Sequence, residues 1–190
     1  MIRPYLNTDC DALLNIWLSA SLQAHDFVPE AFWRDQLGAM REHYLPLAET
    51  LVLEQGGTPL AFASVHEGRL AALFVSPEQQ GCGLGLQLLE AVMAERTRLE
   101  LDVYQANGRA TAFYRRAGFE VIAQGHDPHT GLGVVFLQGH LVVELEGSDL
   151  FHLHLPHREI EDHGLLDPFV HDPISFAGLS APQDTAVERI

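Results

Sequence analysis

Lysine is absent from the 190 residues, so all 11 basic side chains are arginines, and they face 26 carboxylates for a formal net charge of −15. That balance repels a nucleic-acid backbone and draws cations, so no nucleic-acid partner is expected and cationic ligands are favoured. Cysteine is scarce too. Cys10 and Cys82 show no CxxC or Cys/His finger spacing and cannot build a disulfide framework, which fits a reducing compartment. No apolar run approaches the roughly 18 residues of a membrane span. The start, MIRPYLNTDCD, meets charge and proline before the apolar stretch of a secretory signal can form. A cytoplasmic protein with no membrane partner is the expectation. No internal repeat is visible, which removes solenoids and propellers. What remains is 47% hydrophobic, enough for one compact domain and an appendage.

The hydrophobic period sets the order of elements. Residues 2–6 read as a short strand, after which Asn7 or Thr8 can cap a helix carrying Leu13, Leu14, Ile16, Trp17 and Leu18. Pro29 opens a second helix, in which Phe32, Trp33, Leu37, Met40 and Tyr44 recur at helical spacing to about residue 45. The period then shortens. Residues 50–54, 60–66 and 70–76 are β-rich runs separated by Gly56-Gly57 and Glu67-Gly68, the signals of an antiparallel meander. Helix returns at 84–96, strand at 99–104, helix at 109–117 and strand at 119–123 after Gly118. The class is mixed α/β.

The stretch Val75-Ser76-Pro77-Glu78-Gln79-Gln80-Gly81-Cys82-Gly83-Leu84-Gly85 carries the chemistry. A strand runs into a glycine-rich turn that opens a helix, so successive backbone N–H groups converge on an anion at the positive end of the helix dipole. Glycine permits the positive φ and the close backbone approach this needs. A Walker loop is excluded, because it ends in Gly-Lys-Ser/Thr and there is no lysine. A dinucleotide fingerprint would open the first βαβ unit, which this turn does not.

Gln80-x-x-Gly83-x-Gly85 resembles the acetyl-CoA pyrophosphate loop of the GNAT N-acetyltransferase superfamily. Further on, Asn107, Ala110, Phe113-Tyr114 and Gly118-Phe119 resemble that family's N-x-x-A-x-x-F-Y-x-x-x-G-F signature. Two motifs in order are much stronger than one. The resemblance covers residues 1–138, including His25-Asp26-Phe27 between the N-terminal helices, a feature of small bacterial members. It implies an acyl-CoA N-acyltransferase fold: a twisted, mostly antiparallel sheet of six or seven strands, splayed at its centre, with helices on both faces. Residues 1–139 would form this domain and 140–190 a C-terminal extension.

The resemblance also implies roles. Acetyl-CoA would lie where strands 70–76 and 99–104 part, its pantetheine arm on the backbone of Leu73, Phe74 and Val75. Its pyrophosphate would sit on the N–H groups of Gln80, Gly81, Cys82, Gly83, Leu84 and Gly85. Gln80 stands where many relatives have arginine. Arg96, Arg98, Arg109, Arg115 and Arg116 form a local positive island between the motifs, and Arg116 is the one expected on the cofactor. Tyr114 would be the general acid for the departing thiolate, and Asn107 would hydrogen-bond the cofactor arm or an ordered water. The attacking amine must be neutral, yet the strand Arg69-Leu70-Ala71-Ala72-Leu73-Phe74 lacks the acid that relatives often place there. His25 ranks first as base, ahead of Asp26, Glu54 and His66.

The implied reaction is transfer of the acetyl group of acetyl-CoA to a primary amine, a small cationic molecule or a peptide terminus, by direct attack in a ternary complex without a metal. The alternative is an acyl-CoA-binding sensor with little turnover. The last 51 residues hold six of the 11 histidines and a net charge of −8. Their start, 140–146 and 150–155, alternates like a hairpin, and His152 and His154 share a strand face with ligand types that suit zinc or nickel. The plainer expectation is a segment that covers a sheet edge or forms a homodimer interface.

Overall fold

A computed structural model describes residues 1–140. The hairpin expected at 140–155, the metal-type histidines and the dimer interface expected of the extension lie outside the described residues, His140 excepted. The order begins with β1 (Ile2–Pro4), α1 (Cys10–Ala24), α2 (Glu30–Asp35), α3 (Leu37–Ala39), a π-helical turn at Met40–Tyr44 and α4 (Leu45–Leu47). It continues with β2 (Glu49–Gln55), β3 (Thr58–His66), β4 (Arg69–Val75), α5 (Leu84–Met93), β5 (Arg98–Tyr104), α6 (Gly108–Arg116), β6 (Glu120–His126) and β7 (Gly133–His140).

All seven strands form one sheet in the order β1-β2-β3-β4-β5-β7-β6. Every neighbouring pair is antiparallel except β4 and β5. The hairpins close where the sequence indicates: Gly56 and Gly57 have φ of +60° and +81°, Glu67 and Gly68 +49° and +78°, the double positive φ of a two-residue type I′ turn. Each face of the sheet has its own core. Leu13, Ile16 and Trp17 of α1 pack with Trp33, Tyr44, Phe62 and Ala72 on one face. Leu88, Leu89 and Val92 of α5 pack with Tyr114, Leu99, Leu101 and Leu137 on the other.

Three local expectations change. Neither Asn7 nor Thr8 caps α1. Residues Asn7–Asp9 form a 3-10 turn, and Asp9 accepts from the Leu6 N–H at 2.8 Å while pairing with Arg3 at 2.7 Å. The chain enters the helix through this turn, with Asp9 held by the half-buried Arg3, and no Asn7 or Thr8 side chain caps it. The helix expected to continue to residue 45 is broken by the π turn, in which the Leu45 N–H bonds the Met40 carbonyl. Pro46 follows at once; its ring excludes the carbonyl four residues back from an α-helical register, and the chain widens ahead of it. Finally, β7, which follows the turn at Asp127-Pro128 and Gly131, is a strand absent from the expected order, and it inserts between β5 and β6. It ends on His140, one residue into the stretch expected as the extension.

Gly139 lies where β7 passes under Phe119. A Cβ there would stand 2.7 Å from the Phe119 ring, which is 4% exposed and has no room to retreat. Gly139→Ala is therefore expected to destabilise by about 1–3 kcal/mol through overpacking. A denaturant midpoint equal to that of the parent protein would contradict this packing.

Candidate active site

The site starts from a broken ladder. Between β4 and β5 only Arg69 and Glu100 are in register, with the Glu100 N–H donating to the Gly68 carbonyl at 3.3 Å. From there the strands diverge, and a cavity of about 650 Å³ opens along Leu73, Phe74 and Val75 on one side and Asp102, Val103 and Tyr104 on the other. Arg69 latches the closed end, donating to Asp102 Oδ1 at 2.6 Å and to Glu100 Oε2 at 3.4 Å. On its other edge β4 is fully engaged, Phe74 opposite Phe62 and Val75 opposite Ala61. The edge facing the cavity is left for an extended ligand that pairs like a strand.

One arm of the cavity ends on the glycine loop. Gly81 and Gly83 have φ of +83° and +82°, and Gly83 precedes the first turn of α5. A Cβ at either would meet nothing within 4 Å, so glycine is required there for backbone conformation rather than for space. Gln80, Gly81, Gly83, Leu84 and Gly85 border the cavity. The exposed Cys82 does not. The Gln80 side chain turns back to donate to the Val75 carbonyl at 3.3 Å. The cationic groups at this arm come from α6: Arg109, Phe113 and Arg116 follow helical spacing along one face and all line the cavity. Arg96 and Arg98 do not join them, because they pair with Glu49 and Glu100. Arg115, exposed on α6, lies outside the lining as well, so the positive island of the sequence reduces to Arg109 and Arg116 at the cavity. Backbone conformation, an unpaired strand edge and two guanidinium groups together suit the diphosphate and amide arm of a coenzyme A thioester.

The lining also includes the residues expected to handle protons, Tyr114, His25 and Asp26, together with Asn107. Tyr114 on α6 borders the cavity with its ring among Phe113 and Phe119, and burial pushes its phenol well above the usual range, with the Asp102 charge adding to the shift. It is a protonated donor at neutral pH. Asn107 caps α6, its Oδ1 accepting the Ala110 N–H at 3.0 Å. His25 stands opposite, its Nε2 3.3 Å from Asn107 Nδ2 and its Nδ1 3.2 Å from the Ser21 carbonyl oxygen. Trp33 stacks on it at 5.0 Å, and this apolar setting lowers its pKa from 6.5 to about 4. As a proton acceptor His25 is therefore weak, with both nitrogens engaged. Asp26 lines the mouth, exposed. Glu54 is tied to Arg3 on the far side of the sheet, and His66 lies outside the cavity lining.

Two polar lining residues were not among the candidates read from the sequence, Asp102 and Tyr104. Asp102 is a carboxylate across the splay on β5, whereas the candidate bases were His25, Asp26, Glu54 and His66 and the acid sought on a strand was on β4. Alternation from Glu100 through Asp102 to Tyr104 was the available signal. Tyr104, 2% exposed, lines the cavity with its ring and donates its hydroxyl to Asp127 at 2.5 Å.

A parted strand pair with an anion cradle at one end and a phenol donor at the other defines an acyl-CoA-dependent acyltransferase. The chain belongs to the GNAT acetyltransferases, with acetyl-CoA as acyl donor: residues 46–121 match the acetyltransferase (GNAT) domain. It is 37% identical over 123 residues to peptidyl-lysine N-acetyltransferase YiaC of Escherichia coli (strain K12), covering 64% of this chain and 84% of that one. To peptidyl-lysine N-acetyltransferase YjaB of the same strain it is 30% identical over 121 residues, 63% of this chain and 82% of that one. The solution structure of apo YjaB superimposes with a TM-score of 0.65 at 26% identity, covering 73% of this chain and 95% of YjaB. Among the described residues no helix is long and apolar enough to cross a membrane.

The His25 environment has a stability signature. Between pH 6.5 and about 4 the unfolded chain takes up a proton at this residue and the folded protein does not. Its contribution to stability is complete above pH 6.5, falls as the pH drops towards about 4, and changes no further below that. The melting temperature should decline over this window, and less so in His25→Gln. Identical slopes in the two proteins would show that the imidazole is not held neutral.

Proposed function

We propose that this enzyme acetylates the side-chain amine of lysine in peptides or proteins, by direct attack of the amine on the thioester in a ternary complex. The observation that carries the reading is the buried Tyr114 phenol at the parting of β4 and β5, opposite an arm that opens past the exposed carboxylate of Asp26. The substrate class rests on the likeness to YiaC and YjaB, both peptidyl-lysine N-acetyltransferases, and on an acidic chain that attracts cations.

When bound, acetyl-CoA supplies an acyl carbon activated by its thioester. The backbone of Leu73, Phe74 and Val75 holds the arm in register, while Gly81, Gly83, Arg109 and Arg116 fix the phosphates, so the reacting carbon is set by a rigid strand. Asp26 attracts the lysine ammonium and passes one proton to solvent, leaving a neutral amine. As nitrogen bonds to the acyl carbon and the carbon–sulfur bond breaks, Tyr114 Oη gives its proton to sulfur. It is reprotonated with the second proton that nitrogen sheds. Asn107 holds the first turn of α6, and with it the phenol, in place.

Thiol release and mass spectrometry on a lysine peptide test the proposal, and the chain's lack of lysine removes any acetyl-lysine background of its own. Tyr114→Phe should lower kcat by about 10²–10⁴-fold and leave acetyl-CoA binding intact. Full turnover in that variant would remove Tyr114 from the chemistry. Turnover with small amines but with no lysine peptide would remove the substrate class.

A further inference from the structure

We propose that His25 is a positioning residue for acetyl transfer: its imidazole braces the Asn107 side-chain amide across the cavity and so fixes the first turn of α6, which carries Tyr114. This deepens the acetyltransferase reading and rests on it.

The brace has one consistent assignment of hydrogens. The Ala110 N–H is only a donor, so the Asn107 atom facing it at 3.0 Å is the oxygen, and the amide nitrogen must face His25. The Ser21 carbonyl is only an acceptor, so the nearby Nδ1 of His25 carries the hydrogen. Nε2 is then a lone pair, and it accepts from Asn107 Nδ2 at 3.3 Å. The hydrogen bonds run in one direction from Ala110 through Asn107 to His25, and from His25 on to Ser21. They join the end of α1 to the start of α6 across 82 residues of sequence. A protonated imidazole would break the chain, since Nε2 would then oppose an amide donor.

The ring is also fixed in orientation. Trp33 stacks on one face at 5.0 Å with 25° between planes, and Phe27 and Tyr104 meet it edge-on at 5.6 Å. Tyr104 is itself anchored on Asp127, which accepts at the same oxygen from Thr130 at 2.6 Å. Asn107 is held on the backbone side as well, its N–H donating to the Tyr104 carbonyl at 2.8 Å. The rings around His25 therefore hold its orientation, and its two hydrogen bonds fix a tautomer, which suits a brace better than a proton carrier.

The test uses the full chain, three single variants and one double variant. Glutamine at position 25 can present an acceptor to Asn107 but cannot act as a base, and His25→Gln should keep kcat within about threefold of the parent, whereas His25→Ala should lose about tenfold to a hundredfold in kcat with acetyl-CoA affinity little changed. Asn107→Asp keeps a capping oxygen and removes the donor, so it should lose as much as His25→Ala, and the double variant should lose no more than either. A His25→Gln enzyme as impaired as His25→Ala, or additive losses in the double variant, would overturn the brace. Nitrogen-15 spectra of histidine-labelled protein decide the matter independently of turnover: the brace requires His25 as the Nδ1–H tautomer, and an Nε2–H signal would sink it. If the parent protein acetylated no lysine peptide, the substrate reading would fail while this spectrum still judged the brace.

Discussion

The parting of β4 from β5 is the constraint on which the rest of the molecule depends. Two adjacent parallel strands would normally satisfy each other's backbone groups along their length, because an unpaired buried N–H or carbonyl is unfavourable. Here pairing stops after Arg69 and Glu100, and each strand is held instead by its outer neighbour, β4 by β3 and β5 by β7. That support from outside is what lets the centre stay open. Arg69 makes the boundary sharp. One guanidinium spans the two strands, and Asp102, whose side chain is 2% exposed, cannot leave this cation without stranding a buried charge. The cavity thus has a fixed floor, and the backbone edge above it can be shared with an extended ligand.

Much of this was legible in the sequence because it is local. The glycine loop, the type I′ hairpins and the Asn107 to Phe119 signature each lie within a short window, where residue type dictates backbone geometry. What was not legible depends on distant partners. Asn7 or Thr8 reads as the cap of α1 until Arg3 is seen to draw in Asp9 and Glu54 and the chain enters the helix through a 3-10 turn. Arg96 and Arg98 read as part of a positive island, yet each is neutralised by a carboxylate remote from the cradle. The seventh strand escaped notice for a related reason. β7 has neighbours on both sides, so Val134, Val135 and Leu137 are buried without the polar alternation that would have marked a strand edge.

Charge illustrates the difference between the sum and the site. Arithmetic over the whole chain gives −15, which is unfavourable for a polyanionic coenzyme, yet the proposed cradle would rest on backbone N–H groups of the glycine loop and on two arginines along one face of α6. Short-range donors decide at a few ångströms, where screening has little reach. The surrounding acidity acts at longer range and on the other partner, the ammonium. A single molecule can therefore hold an anionic donor and attract a cationic acceptor, because the two fields operate at different distances and through different arms of the cavity.

The acid–base groups obey the same economy of desolvation. Tyr114 and His25 both line the cavity, and burial drives their pKa values in opposite directions, the phenol up and the imidazole down. The physical result is alike: both groups are neutral when the cavity is ready to react. A neutral phenol is useful beside sulfur, where negative charge grows only during bond breaking. A neutral imidazole with both nitrogens engaged is useful as a strut. Any group that must accept a proton from an ammonium before attack has the opposite requirement, since it needs hydration and a route outward, and Asp26 at the mouth meets that requirement better than any group inside the aromatic box. The division between a dry interior that positions and a wet rim that exchanges protons follows from where α1 ends, with His25 turned inwards and Asp26, the next residue, turned out.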